Sequence, residues 1–203
     1  MKQNVNGDGK ITRAADGNEV IGNATPKFFY GWHNNLTYKS FDLTFLIQGS
    51  YGNDIFNAVR IKTENPSNGL STNLNNRWTS ENQNTDVPVF LSSRERNALN
   101  LGANQTSGIG VDQRSSRWVE DGSYVRLKNI TLTYNLPVSI LSKIHVSRLA
   151  AYVTGMNLIT ITKYTGYDPE VSSFNAGGAG GLGIDLSNYP TAKTVLFGLN
   201  LTF

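Results

Sequence analysis

The sequence predicts an all-β fold: an antiparallel sheet forming a segment of a transmembrane β-barrel with long extracellular loops. Three observations predict it. Apolar and polar residues alternate with period two in five stretches, the pattern of strands with one apolar face. The links between these stretches are short and long in turn, as in outer-membrane barrels, whose turns are tight on the periplasmic side and whose loops are long outside. The apolar faces end in aromatic residues, while the opposite faces carry small polar groups instead of the charges of a solvated sheet.

The first stretch, Phe28 to Tyr38, sets Phe28, Tyr30, Trp32, Leu36 and Tyr38 against Gly31, His33, Asn35 and Thr37. The second, Phe41 to Gly49, sets Phe41, Leu43, Phe45 and Ile47 against Asp42, Thr44 and Gln48, and Lys39-Ser40 joins the two tightly. About seventy residues rich in Asn, Ser, Thr and Gly follow, a length that counts against a compact soluble domain but suits an outer loop. In the third stretch, Tyr124 to Leu136, Ile130, Leu132, Tyr134 and Leu136 share a face, whereas Val125 and Leu127 fall in the opposite phase. A bulge or a change of environment near Asn129 is therefore expected. After the short link from Pro137 to Val146, the fourth stretch, Ser147 to Gly155, aligns Leu149, Ala151 and Val153. A Gly-rich segment then leads to the last stretch, where Val195, Phe197, Leu199, Leu201 and Phe203 alternate with Leu196, Gly198, Asn200 and Thr202. The resulting map is an outer loop over 1–27, a hairpin over 28–50, a long outer loop over 51–123, a hairpin over 124–156, an outer loop over 157–191 and a final strand over 192–203. By this parity the C-terminus is periplasmic. The competing fold is a soluble β-sandwich or jelly roll, which also consists of alternating strands.

Composition narrows the function classes. Among 203 residues there is no Cys, which excludes a disulfide scaffold, a Cys-ligated metal site and thiol catalysis. The 18 Lys and Arg against 15 Asp and Glu leave a net charge of +3, spread too thinly for a nucleic-acid surface, so no nucleic-acid partner is expected. No run approaches the ~18 apolar residues of a membrane helix, a test that barrel strands escape.

Several words in the chain carry a family resemblance. Ser116-Arg117-Trp118-Val119-Glu120-Asp121-Gly122-Ser123-Tyr124-Val125-Arg126-Leu127-Lys128-Asn129-Ile130-Thr131-Leu132 resembles a signature of the SusC/RagA family of TonB-linked outer-membrane proteins. Asn157-Leu158 with Thr162-Lys163-Tyr164-Thr165-Gly166-Tyr167-Asp168-Pro169-Glu170 resembles a second. Tyr189-Pro190 and the run to Phe203 resemble the family's last strand, and Asn6-Gly7-Asp8-Gly9-Lys10-Ile11-Thr12 with Ile21-Gly22 and Pro26 resembles the loop before these strands. The resemblance implies the C-terminal part of a TonB-dependent importer in the outer membrane of a Gram-negative, Bacteroidetes-like cell. Such importers are 22-stranded barrels with an N-terminal plug that take up oligosaccharides or peptides. They work with a SusD-like surface lipoprotein acting as a lid and contact TonB through an N-terminal part that this chain does not include. Five strands alone would leave two open edges, costly in hydrocarbon, so the chain is expected to be a fragment. Terminal Phe203 resembles the signal read by the outer-membrane assembly machinery, and the bilayer itself is an expected partner.

The candidate sites are few. Asn4-x-Asn6-x-Asp8-Gly9-x-Ile11 has the spacing of an EF-hand-like calcium loop, with Asn in place of Asp at its first position and Ala15 where the bidentate carboxylate belongs. Asn4, Asn6, Asp8 and Asp16 would be the ligands, and the alternative is a plain Asn-Gly/Asp-Gly turn. No other cofactor is expected. His33 and His145 lack a partner at motif spacing, and Glu120-Asp121 and Asp168/Glu170 belong to the two signature-like words, so no catalysis is expected. Sugar contact would fall to loop aromatics, Trp78, Tyr164, Tyr167 and Phe174, beside the many Asn. The alternative function is a secreted, non-catalytic carbohydrate-binding β-sandwich domain. The two readings differ in where the apolar faces point.

Overall fold

The computed structural model describes residues 20–64, 71–87, 89, 116–141, 146–171 and 181–203. These fall into two compact units: residues 25–53, 121–170 and 189–203 form one, and the described residues of 1–24, 54–120 and 171–188 form the other.

The first unit is a five-stranded antiparallel sheet. Its strands are β1 (Phe28–Tyr38), β2 (Phe41–Tyr51), β5 (Tyr124–Asn135), β6 (Arg148–Thr162) and β8 (Thr194–Thr202), in the order β1-β2-β5-β6-β8. Each is therefore hydrogen-bonded to its nearest long neighbour in sequence, an up-and-down meander. The β1–β2 hairpin closes over Lys39-Ser40, with Tyr38 opposite Phe41 and Lys39 at φ 53°, the left-handed backbone that tight two-residue turns require. Between β5 and β6 the chain turns through Pro137 and a single helical turn, α2 (Val138–Leu141).

Residues paired across antiparallel strands project from the same face, so the registers assign every side. Leu36, Leu43, Leu132, Val153 and Phe197 form one apolar row across all five strands, and Tyr38, Phe41, Tyr134, Ala151 and Leu199 form the next. The other face carries the rows Asn35, Thr44, Thr131, Thr154 and Thr37, Asp42, Thr133. There Thr131 and Thr154 share a hydrogen bond of 2.8 Å, Thr37 donates to Asp42 at 2.7 Å, and Asn135 donates to Asp42 at 2.6 Å.

Among the described residues of this unit no second layer covers the apolar face. Leu132, Leu199 and Leu201 are 42%, 71% and 48% exposed, and Phe45 is half-buried edge-on against Trp32, with ring centroids 5.3 Å apart. Aromatics bracket this face: Phe28 stacks on Tyr51 at one end, and Phe41 packs against Tyr134 at the other. At the ~40° tilt usual in membrane barrels, strands of 11 residues climb about 27 Å, close to the ~25 Å apolar band of such barrels.

The phase reversal in β5 is a bulge. Ile47 pairs with Leu127 and Leu46 with Asn129, so Lys128 is the extra residue. The insertion lets Val125 and Leu127 rejoin the apolar face of Ile130 and Leu132, and turns Tyr124 and Arg126 to the polar face.

One boundary differs from the sequence expectation. β6 continues to Thr162, so the first residues of the stretch read as a loop from 157 belong to the sheet. Asn157, at φ 52°, and Leu158 interrupt the alternation, which resumes as Ile159-Thr160-Ile161-Thr162. Gly155 makes the interruption fit, because a Cβ there would meet the Leu158 side chain.

The second unit gives the long stretch after Tyr51 its own short elements. These are β3 (Asp54–Asn57), α1 (Ala58–Thr63), 3-10 turns at Thr72–Asn76 and Ser116–Trp118, β4 (Val119–Asp121) and, from the later segment, β7 (Ile184–Asp185). β3 lies between β4 and β7, parallel to β7. Asn57 caps α1 by accepting from the Arg60 amide at 3.1 Å, and Ala58 and Ile61 are the helix's buried apolar residues. No helix among the described residues is long and apolar enough to cross a membrane, which says nothing about strands.

Candidate functional site

The most developed polar constellation lies on the polar face of the large sheet, at the end where β2, β5 and β6 run into their long connections. Its centre is Arg126, whose side chain is 2% exposed. Its register partners Gln48 and Thr160 share its face. A guanidinium buried in a wall must find acceptors for all its N–H groups, and here the segment after β6 supplies most of them. Arg126 donates through Nη2 to Asp168 Oδ1 at 2.5 Å, through Nη1 to Glu170 Oε2 at 2.6 Å and to Thr191 Oγ1 at 3.4 Å, and through Nε to Thr160 Oγ1 at 2.9 Å.

Glu170 also accepts from the Tyr124 hydroxyl at 2.6 Å, from Gln48 Nε2 at 2.9 Å and from Lys128 Nζ at 3.4 Å. Asp168 accepts from the Glu170 amide and the Thr191 amide, each at 2.9 Å. Burial pushes the Asp168 carboxyl up. The hydrogen bonds from Arg126, from Thr191 and from the Glu170 and Thr191 amides outweigh it and hold the group down at about 2. The constellation is electrically balanced, with Arg126 and Lys128 facing Asp168 and Glu170.

The second unit has its own ion cluster. Glu64, with a side chain 2% exposed, accepts from Arg60 Nε and Arg117 Nη2, each at 2.8 Å, and from Asn73 at 3.0 Å. Arg60 reaches Glu120 at 2.9 Å, and both guanidiniums lie over the Trp118 ring, at 5.6 and 5.1 Å from its centroid. Arg117 also donates to the backbone carbonyl of Asp86 and to its carboxylate. Burial raises the Glu64 carboxyl, but the Arg60, Asn73 and Arg117 hydrogen bonds leave it below the usual glutamate value.

The residues singled out from sequence are scattered. Asn4, Asn6, Asp8 and Asp16, with His145 and Phe174, lie outside the described residues. Trp78, in the second unit, is 42% exposed. Tyr164 and Tyr167, in the first, have opposite fates. Tyr164 is buried at 5% exposure with its ring against Gly166, whereas Tyr167 is 76% exposed. Phe203 follows β8 and is 87% exposed. His33 sits on the polar face, opposite Leu46. The union of Arg126 with Asp168 and Glu170 was not among the sequence expectations. Its signal is a pair of cations, Arg126 and Lys128, inside an otherwise uncharged strand.

No protein-family model matches the sequence. Individual relatives do. TonB-dependent receptor P3 of Formosa agariphila is 35% identical over 98% of the chain and 18% of its own length. TonB-dependent receptor SusC of Bacteroides thetaiotaomicron is 33% identical over 85% of the chain and 15% of its own length. The chain belongs to the SusC-like TonB-dependent receptors. It spans under a fifth of the length of these curated relatives. Solved structures agree with the SusC-like assignment. The RagAB peptide importer in its closed-closed state matches with a TM-score of 0.71 and 25% identity over 96% of the chain and 19% of that chain. The open-open state matches with a TM-score of 0.69 and 26% identity over the same shares.

Proposed function

We infer that the chain is part of the wall of a TonB-dependent outer-membrane importer for oligosaccharides, peptides or other large nutrients, working with a SusD-like surface lipoprotein and energised through TonB. One observation carries this reading: the sheet presents an uncovered apolar face of membrane height and a polar opposite face, in a chain whose relatives along its length are TonB-dependent receptors. The apolar face would meet lipid tails and the polar face a water-filled interior. The uncovered edges of β1 and β8 would be paired within the complete wall, because a sheet edge left open in hydrocarbon costs several kcal/mol for each unpaired group. On this reading Trp78 and Tyr167 stand at the outer surface, where nutrient or lid would touch them, Phe203 serves assembly, and the Asn4–Asp16 segment is a candidate calcium loop.

The supporting experiment separates inner and outer membranes of the producing cell and probes each with antibody to this chain. The expected result is outer-membrane recovery of a species whose electrophoretic mobility changes on boiling, as barrels show. A monomeric, cooperatively melting soluble product made without detergent would overturn it in favour of a secreted binding domain.

A further inference from the structure

The charged residues of the Arg126 constellation, with Tyr124, come from two places in the chain. Tyr124, Arg126 and Lys128 belong to the first signature-like word, and Asp168 and Glu170 to the second, Asp168 lying 42 positions after Arg126. We propose that residues 164–170 form a strap folded back onto the polar face of the sheet and fastened by Arg126, so that the two words are the two halves of one lock and Arg126 is the positioning residue for the loop end that carries Tyr167.

Four features define the strap. It begins where β6 ends, and Tyr164 turns inward there: its amide donates to Thr162 Oγ1 at 3.1 Å and its ring is buried against Gly166. It crosses the wall at Asp168 and Glu170, whose carboxylates take donors from β2 (Gln48) and β5 (Tyr124, Arg126, Lys128). The approach to β8 is tied to the same point, because Asp168 Oδ2 accepts the Thr191 amide. Between the two anchors Tyr167 is left at the crest, 76% exposed. A surface loop held by its own exposed side chains would not place an aromatic reproducibly. Here the adjacent residue is bonded to a guanidinium that is itself immobilised in the sheet. The bulge at Lys128 is part of the device: unbroken alternation would put Arg126 on the apolar face with Ile130 and Leu132, and the extra residue turns it to the polar face, where the strap's carboxylates lie. The strap lies within one unit and does not depend on the import reading.

Amide hydrogen exchange on the full chain in detergent, for the parent sequence and for Arg126→Met, Arg126→Lys and Glu170→Gln, tests the proposal. The expected result for Arg126→Met is at least tenfold faster exchange in residues 164–170 and at the Thr191 amide, with the amides of β1 and β2 unchanged. Arg126→Lys keeps the charge but loses the fork, and is expected to give a smaller rise over the same residues, as is Glu170→Gln. If Arg126→Met loosens the whole sheet, the two milder variants decide by whether their rise is confined to these residues. Unchanged exchange over 164–170, or a rise shared equally with β1 and β2 in the milder variants, overturns the strap. A failure of outer-membrane recovery would leave these outcomes as they are.

Discussion

Asp168 shows how far a single carboxylate can be committed. An aspartate in a folded protein usually titrates near 4. This one is held at about 2, because burial, which disfavours its charge, is outweighed by the Arg126, Thr191 and Glu170 donors. Its folded value lies below its unfolded value, so the stability it contributes is complete above about pH 4 and drains away as pH falls through about 2. Asp168→Asn is therefore expected to lower the melting midpoint at pH 5–7, by the equivalent of about 2–3 kcal/mol for a buried pair losing one partner. Scans from pH 7 down should show the gap between parent and variant closing as pH approaches 2. A gap constant with pH would assign the loss to packing instead. Glu64 makes the parallel case in the smaller unit, where Arg60, Arg117 and Asn73 all converge on it. Glu64→Ala would leave the Arg60 and Arg117 guanidiniums beside Trp118 without the carboxylate they share. It is expected to cost about 3 kcal/mol in urea titration, whereas Glu64→Gln, which retains an acceptor, should cost less. None of these partnerships could be read from spacing. Residues dozens of positions apart meet because strand registers bring them together, and one sequence fixes no register until the bulges are placed.

The strands are where the sequence was most legible. Apolar–polar alternation located all five long strands, because a sheet with one face against lipid and one against water needs that period along its whole length. The break of phase between Leu127 and Ile130 announced the bulge, which the registers place at Lys128. The second break was not legible. Asn157 and Leu158 hide the last third of β6, since a positive-φ Asn reads as a turn unless the residues after it are seen to pair, as Ile159 does with Leu127 and Thr162 with Tyr124. β3, α1 and β7 escaped because elements of two to six residues leave no periodic trace. The two faces lead to a paired prediction on β5. Ile130, opposite Phe45, lies on the apolar face near the middle of the strands, and Thr131 lies next to it on the polar face. In the membrane-inserted protein, Ile130→Arg should cost about 2–4 kcal/mol, the penalty of a cation near the bilayer midplane, and Thr131→Arg under about 1. Urea titration in vesicles measures both, and equal costs would mean that the faces do not differ in solvent.

The chain as a whole combines a sheet with membrane proportions and a smaller unit of short elements and ion pairs. The sequence separated the two as strands and long connections, and its signature-like words pointed to the family that the relatives bear out. What the connections do internally came only from the structure, because their bonds are side-chain contacts such as Arg60 to Glu120 and not a pattern in composition. The account rests on the surroundings of one face of β5. Nitroxide labels placed singly at residues 130 to 134 of the membrane-inserted protein read those surroundings directly through collision with oxygen, which concentrates in lipid, and with a nickel chelate, which stays in water. The account predicts oxygen collisions dominating at Ile130, Leu132 and Tyr134, and nickel collisions at Thr131 and Thr133. Exclusion of both reagents from the labels at 130, 132 and 134 would show a dry interior between two protein layers and contradict it.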